Sequence, residues 1–384
     1  MIMISYATSH PQQDTYPILT RRYRHTGSTI SSAVAPDVMT HFNATSPSLG
    51  TFVTTIYLMG YAFGPMAIAP LSELYGRALL YKACIALAVI FHMACAVANS
   101  LGSLIAFRLL AGMAASSPLT LGPGTIADMF VSKTRGPPIT AFVVGASLGQ
   151  AIGPVLGGYL LPAAGWRWTF WFMALASGVL AIAVFALMDE SYPSVLLKHK
   201  TRRLRRETGN IHLRSVLEVE PSQSPPDLFI RSITRPLRML VSPIVFLISL
   251  YVAVVYSYLY LCFTTFPRVF KDQYGFDSGR AGLATLGMGV GSLVGVAMSS
   301  AVADKLSIYL AAKKSGGNLF PEYRLPTMTL GGFLVPIGLF WYAWTAEKKT
   351  HWIAPIIGTG FLGAGLLVTY VSTLFSIISS AQIC

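Results

Sequence analysis

The chain has 384 residues, of which 53% are hydrophobic and only 11% charged, with a mean hydropathy of +0.58. That balance excludes an ordinary soluble domain and indicates a polytopic membrane protein. A net charge of +13 would suit nucleic acid, but the basic residues follow a membrane topology, so nucleic acid is not an expected partner. The four cysteines (Cys84, Cys95, Cys262, Cys384) have neither paired nor metal-like spacing and three lie in apolar stretches, so they read as packing residues; no metal or cofactor is expected.

Taken in order, residues 1–27 are polar and predict a tail with nothing to bury. They lack the apolar core of a cleavable signal and carry Arg21, Arg22 and Arg24. Residues 28–42 read as an incomplete first span, short of the roughly 20 apolar residues that a helix needs to cross a bilayer. Nine fuller spans follow at 50–70, 79–99, 103–127, 137–161, 168–188, 242–265, 279–303, 327–345 and 352–378. The expected organisation is a tail (1–27), an N-terminal helical bundle (28–188), a basic cytoplasmic loop (189–241) and a second bundle (242–384). The opening of that loop, Lys198 to Glu207, is either an amphipathic helix on the inner leaflet or a solvated linker.

Charge placement sets the orientation. Arg167, Arg268, Lys271, Arg280, Lys348 and Lys349 fall on one side, Arg108 lies inside a span, and the rest of the 28 Lys and Arg fall on the other side, which is therefore cytoplasmic. The basic balance is then topology plus contact with anionic inner lipid. Asn43-Ala44-Thr45 becomes a glycosylation sequon in an outer loop, so close to the membrane that poor use is expected.

Arg108 is the sharpest single residue. A charge at membrane depth costs at least about 2.5–3.5 kcal/mol, so it faces a partner or a wet cavity, unless it snorkels to the nearby interface. The acids lie at span ends and in loops, with Asp37 near the outer side and Glu73 and Asp128 near the inner. No acid is evident at mid-membrane, and Asp37 with Arg108 is the best remaining acid–base pair. Of seven histidines only His92 falls within a span, with no acid or cysteine arrayed beside it for catalysis, so an enzyme is not expected. Tyr57, Tyr61, Tyr251, Tyr256, Tyr260 and Phe263 concentrate rings in two spans. Their bland reading is core or lipid-facing packing; their functional reading is the wall of a pocket for flat hydrophobic compounds, with Gln150 as a polar contact.

Gly145, Gly149, Gly153 and Gly157 recur every four residues, accompanied by Pro154 and Gly158. On a helix they form a stripe without side chains, against which a second backbone can pack closely in lipid. Pro154 removes one internal hydrogen bond and favours a bend. By periodicity alone the stripe is packing and nothing more. However, Gly149-x-x-x-Gly153-Pro154-x-x-Gly157-Gly158 resembles the fifth-helix motif of antiporters in the major facilitator superfamily. Ala69 to Ala78 resembles the superfamily's cytoplasmic signature, with Glu73 at the acid position and Gly76-Arg77 at the turn, although Ala78 stands where a second basic residue is usual. Leu104, Arg108 and Gly112 match its fourth-helix motif. Arg206-Glu207-Thr208-Gly209-Asn210, Leu213-Arg214-Ser215 and Thr234-Arg235-Pro236 are similar to the central loop of fungal drug:proton antiporters of the DHA1 type.

The resemblance implies an all-α polytopic fold of major-facilitator-type helical bundles, with about nine complete spans, a partial first span, and the family's last two spans absent. It implies a monomeric carrier in the plasma membrane that exports small hydrophobic or amphiphilic drugs, toxins or metabolites in exchange for protons by alternating access, without a cofactor. It further implies that Glu73, Arg77 and Asp128 form a charge clamp and that Arg108 serves proton transfer. Related sequences often carry a glutamate before Phe-Pro in helix seven, where this chain has Thr264-Thr265 ahead of Phe266-Pro267. A truncated member that does not transport, or a transporter-like sensor, is the other reading.

Overall fold

The computed structural model describes residues 37–43, 47–130, 134, 136–210, 212–215, 234, 238, 240–314 and 325–380. The expected tail, most of the partial first span, Ala44 and Thr45 of the sequon, and residues 211, 216–233, 235–237 and 239 of the central loop lie outside these residues. After a short helical turn at 37–41, the described residues form the helices α1 (Pro47–Tyr75), α2 (Arg77–Ala96), α3 (Leu101–Ala115), α4 (Ser117–Met129), α5 (Gly136–Ala164), α6 (Trp166–Leu187), α7 (Pro193–Thr208), α8 (Pro243–Tyr274), α9 (Ser278–Ala284), α10 (Leu286–Lys314), α11 (Leu325–Glu347) and α12 (Ile353–Ser380). No strand occurs among them. Nine stretches are long and apolar enough to cross a membrane among the described residues, one for each of the nine expected spans. The fold is all-α and polytopic.

Only two kinds of all-bonded backbone span lipid, and a run of apolar residues without alternation selects the helix. Two expected spans are broken into pairs. In the α3–α4 span, Pro118 has no N–H to offer the carbonyl of Ala114, and the ladder opens at Ser116. Ser116 Oγ donates to the Met113 carbonyl at 2.8 Å and Thr120 Oγ1 to the Ser116 carbonyl at 3.0 Å, so local side chains bond to the backbone through the break. The α9–α10 span opens at Thr285, whose hydroxyl donates to the Gly282 carbonyl at 2.6 Å. The start of α3 carries a reciprocal cap, with Ser100 and Ser103 each bonding the other's backbone N–H.

Packing divides the chain into two compact units. The first contains Ile56–Ile139 and Met173–Ser242; the second contains Thr140–Phe172 and the residues from Pro243 onward, with the described residues up to Thr55. These units follow packing, whereas the bundles 28–188 and 242–384 follow chain order; α5 is the element on which the two divisions differ. In the first unit a core joins Ile68 of α1, Tyr81, Cys84 and Ile85 of α2, Leu121 of α4 and Val184 of α6. In the second, α12 packs along both α10 and α11, with Gly291 and Gly295 of α10 against the carbonyls of Gly360 and Ala364. Outward faces are apolar as well: Ile182 of α6 is 72% exposed and Phe340 of α11 70%, which is the pattern of a surface solvated by lipid.

Candidate functional site

Three groups of the expected residues acquire a geometry. The first is the turn between α1 and α2. Gly76 has φ +97, a conformation that L side chains rarely adopt, and a Cβ there would collide with the carboxylate of Glu190. The start of α2 has no side-chain cap of its own and no acid in its first turn. Glu190 supplies the missing anion from just beyond the end of α6, accepting from Arg77 N–H at 2.9 Å and Ala78 N–H at 3.1 Å. It also accepts from Tyr192 N–H at 2.9 Å.

Arg77 completes the network. Its Nε donates to Asp128 Oδ2 at 3.3 Å, its Nη1 donates to Ser72 Oγ at 2.8 Å, and its guanidinium lies 5.1 Å from the centre of the Tyr192 ring. On α4, Gly124 leaves room for the guanidinium; a Cβ there would lie 3.1 Å from Nη2. Four segments are thus tied together: the end of α1, the start of α2, the end of α4 and the exit of α6. Asp128 joins Arg77 as expected. Glu73, expected at the acid position of the clamp, is exposed and is not among the groups that meet Arg77. Glu190 and Tyr192 were not singled out in the sequence, and the available signal was weak: an acid directly after an apolar span and ahead of Pro193.

The second group surrounds Arg108. It is 1% exposed, so it does not snorkel to the interface. Its guanidinium lies 5.4 Å from the centre of the Tyr57 ring, which is itself buried and stacked at 6.4 Å on Tyr61. Tyr57 packs with Ala111 and Ala115, with Tyr61 and Phe91 against them. Backbone proximity makes this arrangement possible: a Cβ at Gly60 would meet the Leu109 carbonyl, and one at Gly112 would meet the Tyr57 carbonyl. With two glycines facing each other's neighbours, α1 and α3 touch at the depth of Arg108. His92 is also buried, with its Nδ1 on the Ala88 carbonyl, and lies within electrostatic reach of Arg108. Asp37 belongs to the second unit, exposed at the head of the turn 37–41, where its carbonyl accepts from Thr40 Oγ1 at 2.9 Å.

The third group is the glycine stripe of α5. Gly145, Gly149, Gly153, Pro154, Gly157 and Gly158 are all buried. Around Pro154 and Gly158 the partner is α9: a Cβ on Gly158 would collide with the Ser278 carbonyl, one on Gly282 would lie 2.7 Å from the Pro154 carbonyl, and one on Gly279 would lie 2.8 Å from the Tyr159 ring. Gly158 and Gly282 thus face backbone across the contact, while Gly279 makes room for the Tyr159 ring. Ala151 extends the seam against Gly289, and Gln150 is buried next to it in sequence.

The expected aromatic wall divides. Tyr57 and Tyr61 lie in the first unit with Arg108. In the second, Phe263 is 4% exposed and in contact with Tyr260, while Tyr256 meets Tyr370 of α12 at 6.1 Å and Tyr251 Oη lies 3.4 Å from Thr369 Oγ1. Asn43 is exposed with φ +50, closing the turn after 37–41. No cluster of three or more His, Cys, Asp or Glu able to hold a metal occurs among the described residues.

Comparison with known proteins agrees with this architecture. The family model described as Major Facilitator Superfamily matches residues 24–382. The chain is 52% identical over 344 residues to the MFS-type transporter penM of Penicillium rubens, covering 88% of this chain and 67% of that protein. It is 43% identical over 339 residues to the efflux pump radE of Floropilus chiversii, covering 88% of this chain and 63% of that protein. Among solved structures, the xylose transporter XylE from E. coli, in a partially occluded inward-open conformation, is similar in fold with a TM-score of 0.68 at 16% identity, over 96% of this chain and 87% of that one. This family consists of transporters and not of enzymes, and the chain, a multi-pass membrane protein, belongs to the Major Facilitator Superfamily.

Proposed function

We propose that this chain belongs to a secondary active transporter that exports small hydrophobic or amphiphilic compounds across the plasma membrane in exchange for protons, working by alternating access as a monomer. The observation that carries the reading is the seam between α5 and α9–α10. The motif that resembles the antiporter signature is buried, and at Pro154 and Gly158 it meets α9 through backbone and glycine, with the Tyr159 ring and Ala151 beside them, so two bodies of helices can meet and pivot there without breaking polar bonds. In this proposal the bodies are the bundles 28–188 and 242–384, joined by the basic segment 189–241. That a relative in Floropilus chiversii is named an efflux pump supports the direction of transport.

The remaining residues take roles in the same cycle. The network of Gly76, Arg77, Asp128 and Glu190 holds one end state, since its ion pair and charge-assisted bonds depend on relative position and are lost when the helices separate. Glu73, exposed beside it, contributes surface charge on the same face. Arg108 and Tyr57 serve proton coupling together with Asp37, and Tyr61, Tyr251, Tyr256, Tyr260, Phe263 and Gln150 line the path of the cargo. Protons and an apolar small molecule are the partners; nucleic acid is not.

The test is flux of a fluorescent amphiphile in proteoliposomes with and without an imposed pH gradient. Accumulation is expected to require the gradient and to fall at least tenfold in Arg108→Ala, a loss of about 1.4 kcal/mol or more in coupling. Gradient-independent flux removes the proton antiport, and binding without flux turns the reading toward a sensor.

A further inference from the structure

We infer that α7 is a binding surface for anionic phospholipid headgroups of the cytoplasmic leaflet. The helix carries Lys198, Lys200, Arg202, Arg203, Arg205 and Arg206 against one acid, Glu207, and none of its residues is buried. At 100° per residue, Leu197, Thr201, Leu204 and Thr208 fall on one narrow face. Lys200 borders that strip on one flank and Lys198 and Arg205 on the other; Lys198 and Lys200 are exposed, and Arg205 Nε donates to the Leu213 carbonyl at 2.7 Å. Leu196 and Leu204 remain 42% and 37% exposed. A solvated linker needs no such segregation, and a buried interhelical contact does not tolerate so many charges.

The position of α7 fits the same occupant. Tyr192, the residue before it, is fixed under the Arg77 guanidinium and bonded to Glu190, at the point where α2 begins and α6 has just ended. The first turn of α7 is therefore anchored where membrane-crossing helices leave the bilayer. At its other end, Gly209 with φ +68 stops the helix and its N–H returns to the Arg205 carbonyl at 3.0 Å, so the basic run is one defined rod. Six cations on a rod that starts at the interface match the negative surface potential of the inner leaflet. The inference rests on the cytoplasmic orientation of 189–241 and is independent of cargo or coupling ion.

The experiment uses the whole chain in nanodiscs of phosphatidylcholine, with or without about 30% phosphatidylserine. Leu204→Cys carries an environment-sensitive fluorophore, with Cys384→Ser so that the label reports on α7, while Cys84, Cys95 and Cys262 are buried. In anionic discs the emission is expected to shift to the blue and to be quenched by spin-labelled lipid, with the quenching roughly halved in high salt and in the variant R202Q/R203Q/R205Q/R206Q. The salt titration of the unmutated helix stands even where the charge variant folds poorly. Equal quenching in both kinds of disc overturns the inference, as does a water-exposed label in both. A shielded label that lipid quenchers do not reach also overturns it and assigns the face to protein. None of these outcomes alters the flux assay, so failure here and failure of the export reading are separable.

Discussion

At the α1–α2 turn a guanidinium and two carboxylates collect a hydroxyl, a ring and three backbone N–H groups, whereas at the α5 seam glycines meet backbone, the Ala151 methyl and the Tyr159 ring, with no charged group among the contacts. The first region holds by directional charge-assisted bonds between groups that retain 13–18% side-chain exposure at the ion pair, so water can replace each bond as it breaks. The second holds by close contact alone. Dispersion falls off within about an ångström, so such a seam is either in register or lost, and a side chain inserted into it has nowhere to go. In the proposed transport cycle the polar turn opens, and the glycine seam stays in contact while its neighbours move.

The comparison is tested hardest at the seam. Gly282→Val is expected to cost about 3 kcal/mol or more, because the new methyls meet the Pro154 carbonyl and Val155 Cα, which are backbone and cannot yield. A thermal shift of the detergent-solubilised protein reads the loss. Gly178→Ala in α6, where nothing lies within 4 Å, is the matched control and is expected to be neutral or slightly stabilising. If both substitutions behave alike, the seam is not tightly packed.

Next in size is Arg77→Gln, which leaves Asp128 without its guanidinium and is expected to cost about 1.5–3 kcal/mol. A double-mutant cycle with Asp128→Asn should return a coupling of about 0.5–3 kcal/mol; a coupling near zero would deny the pair any role in stability. Glu190→Gln keeps the shape of the cap but removes the charge at the start of α2. Its expected cost is about 0.5–1 kcal/mol, read by the same thermal shift and sensitive to salt. Smallest is Glu73→Gln, expected within about 0.5 kcal/mol of the parent and with unchanged flux. A large effect there would mean that the acid of the expected clamp acts in a state other than the one described.

Much of the architecture was legible because it depends on local properties. A span needs only length and apolarity, and the nine expected spans correspond to nine candidate spans among the described residues, although the helices α8 and α10 end about nine and eleven residues beyond the expected spans, on polar turns. The turn at Gly76-Arg77 and the close approach along α5 were visible as residue spacing. The break at Ser116 was not, although Pro118 was its signal, because in an apolar run the hydropathy continues across a proline. Glu73, three residues before the glycine, holds the expected position in sequence, and only the packing shows that its side chain is exposed.

From its sequence alone this protein was determined to be helical and polytopic, with a basic segment between its two groups of expected spans, because hydropathy, periodicity and charge count are properties of a residue and its near neighbours. Only the tertiary structure decided that Glu190 caps a helix more than a hundred residues earlier, that Arg108 is buried over Tyr57, and that α5 packs with the helices after Pro243. Those choices are pairings between distant segments, and which donor finds which acceptor is settled by how the helices pack, which no local pattern encodes.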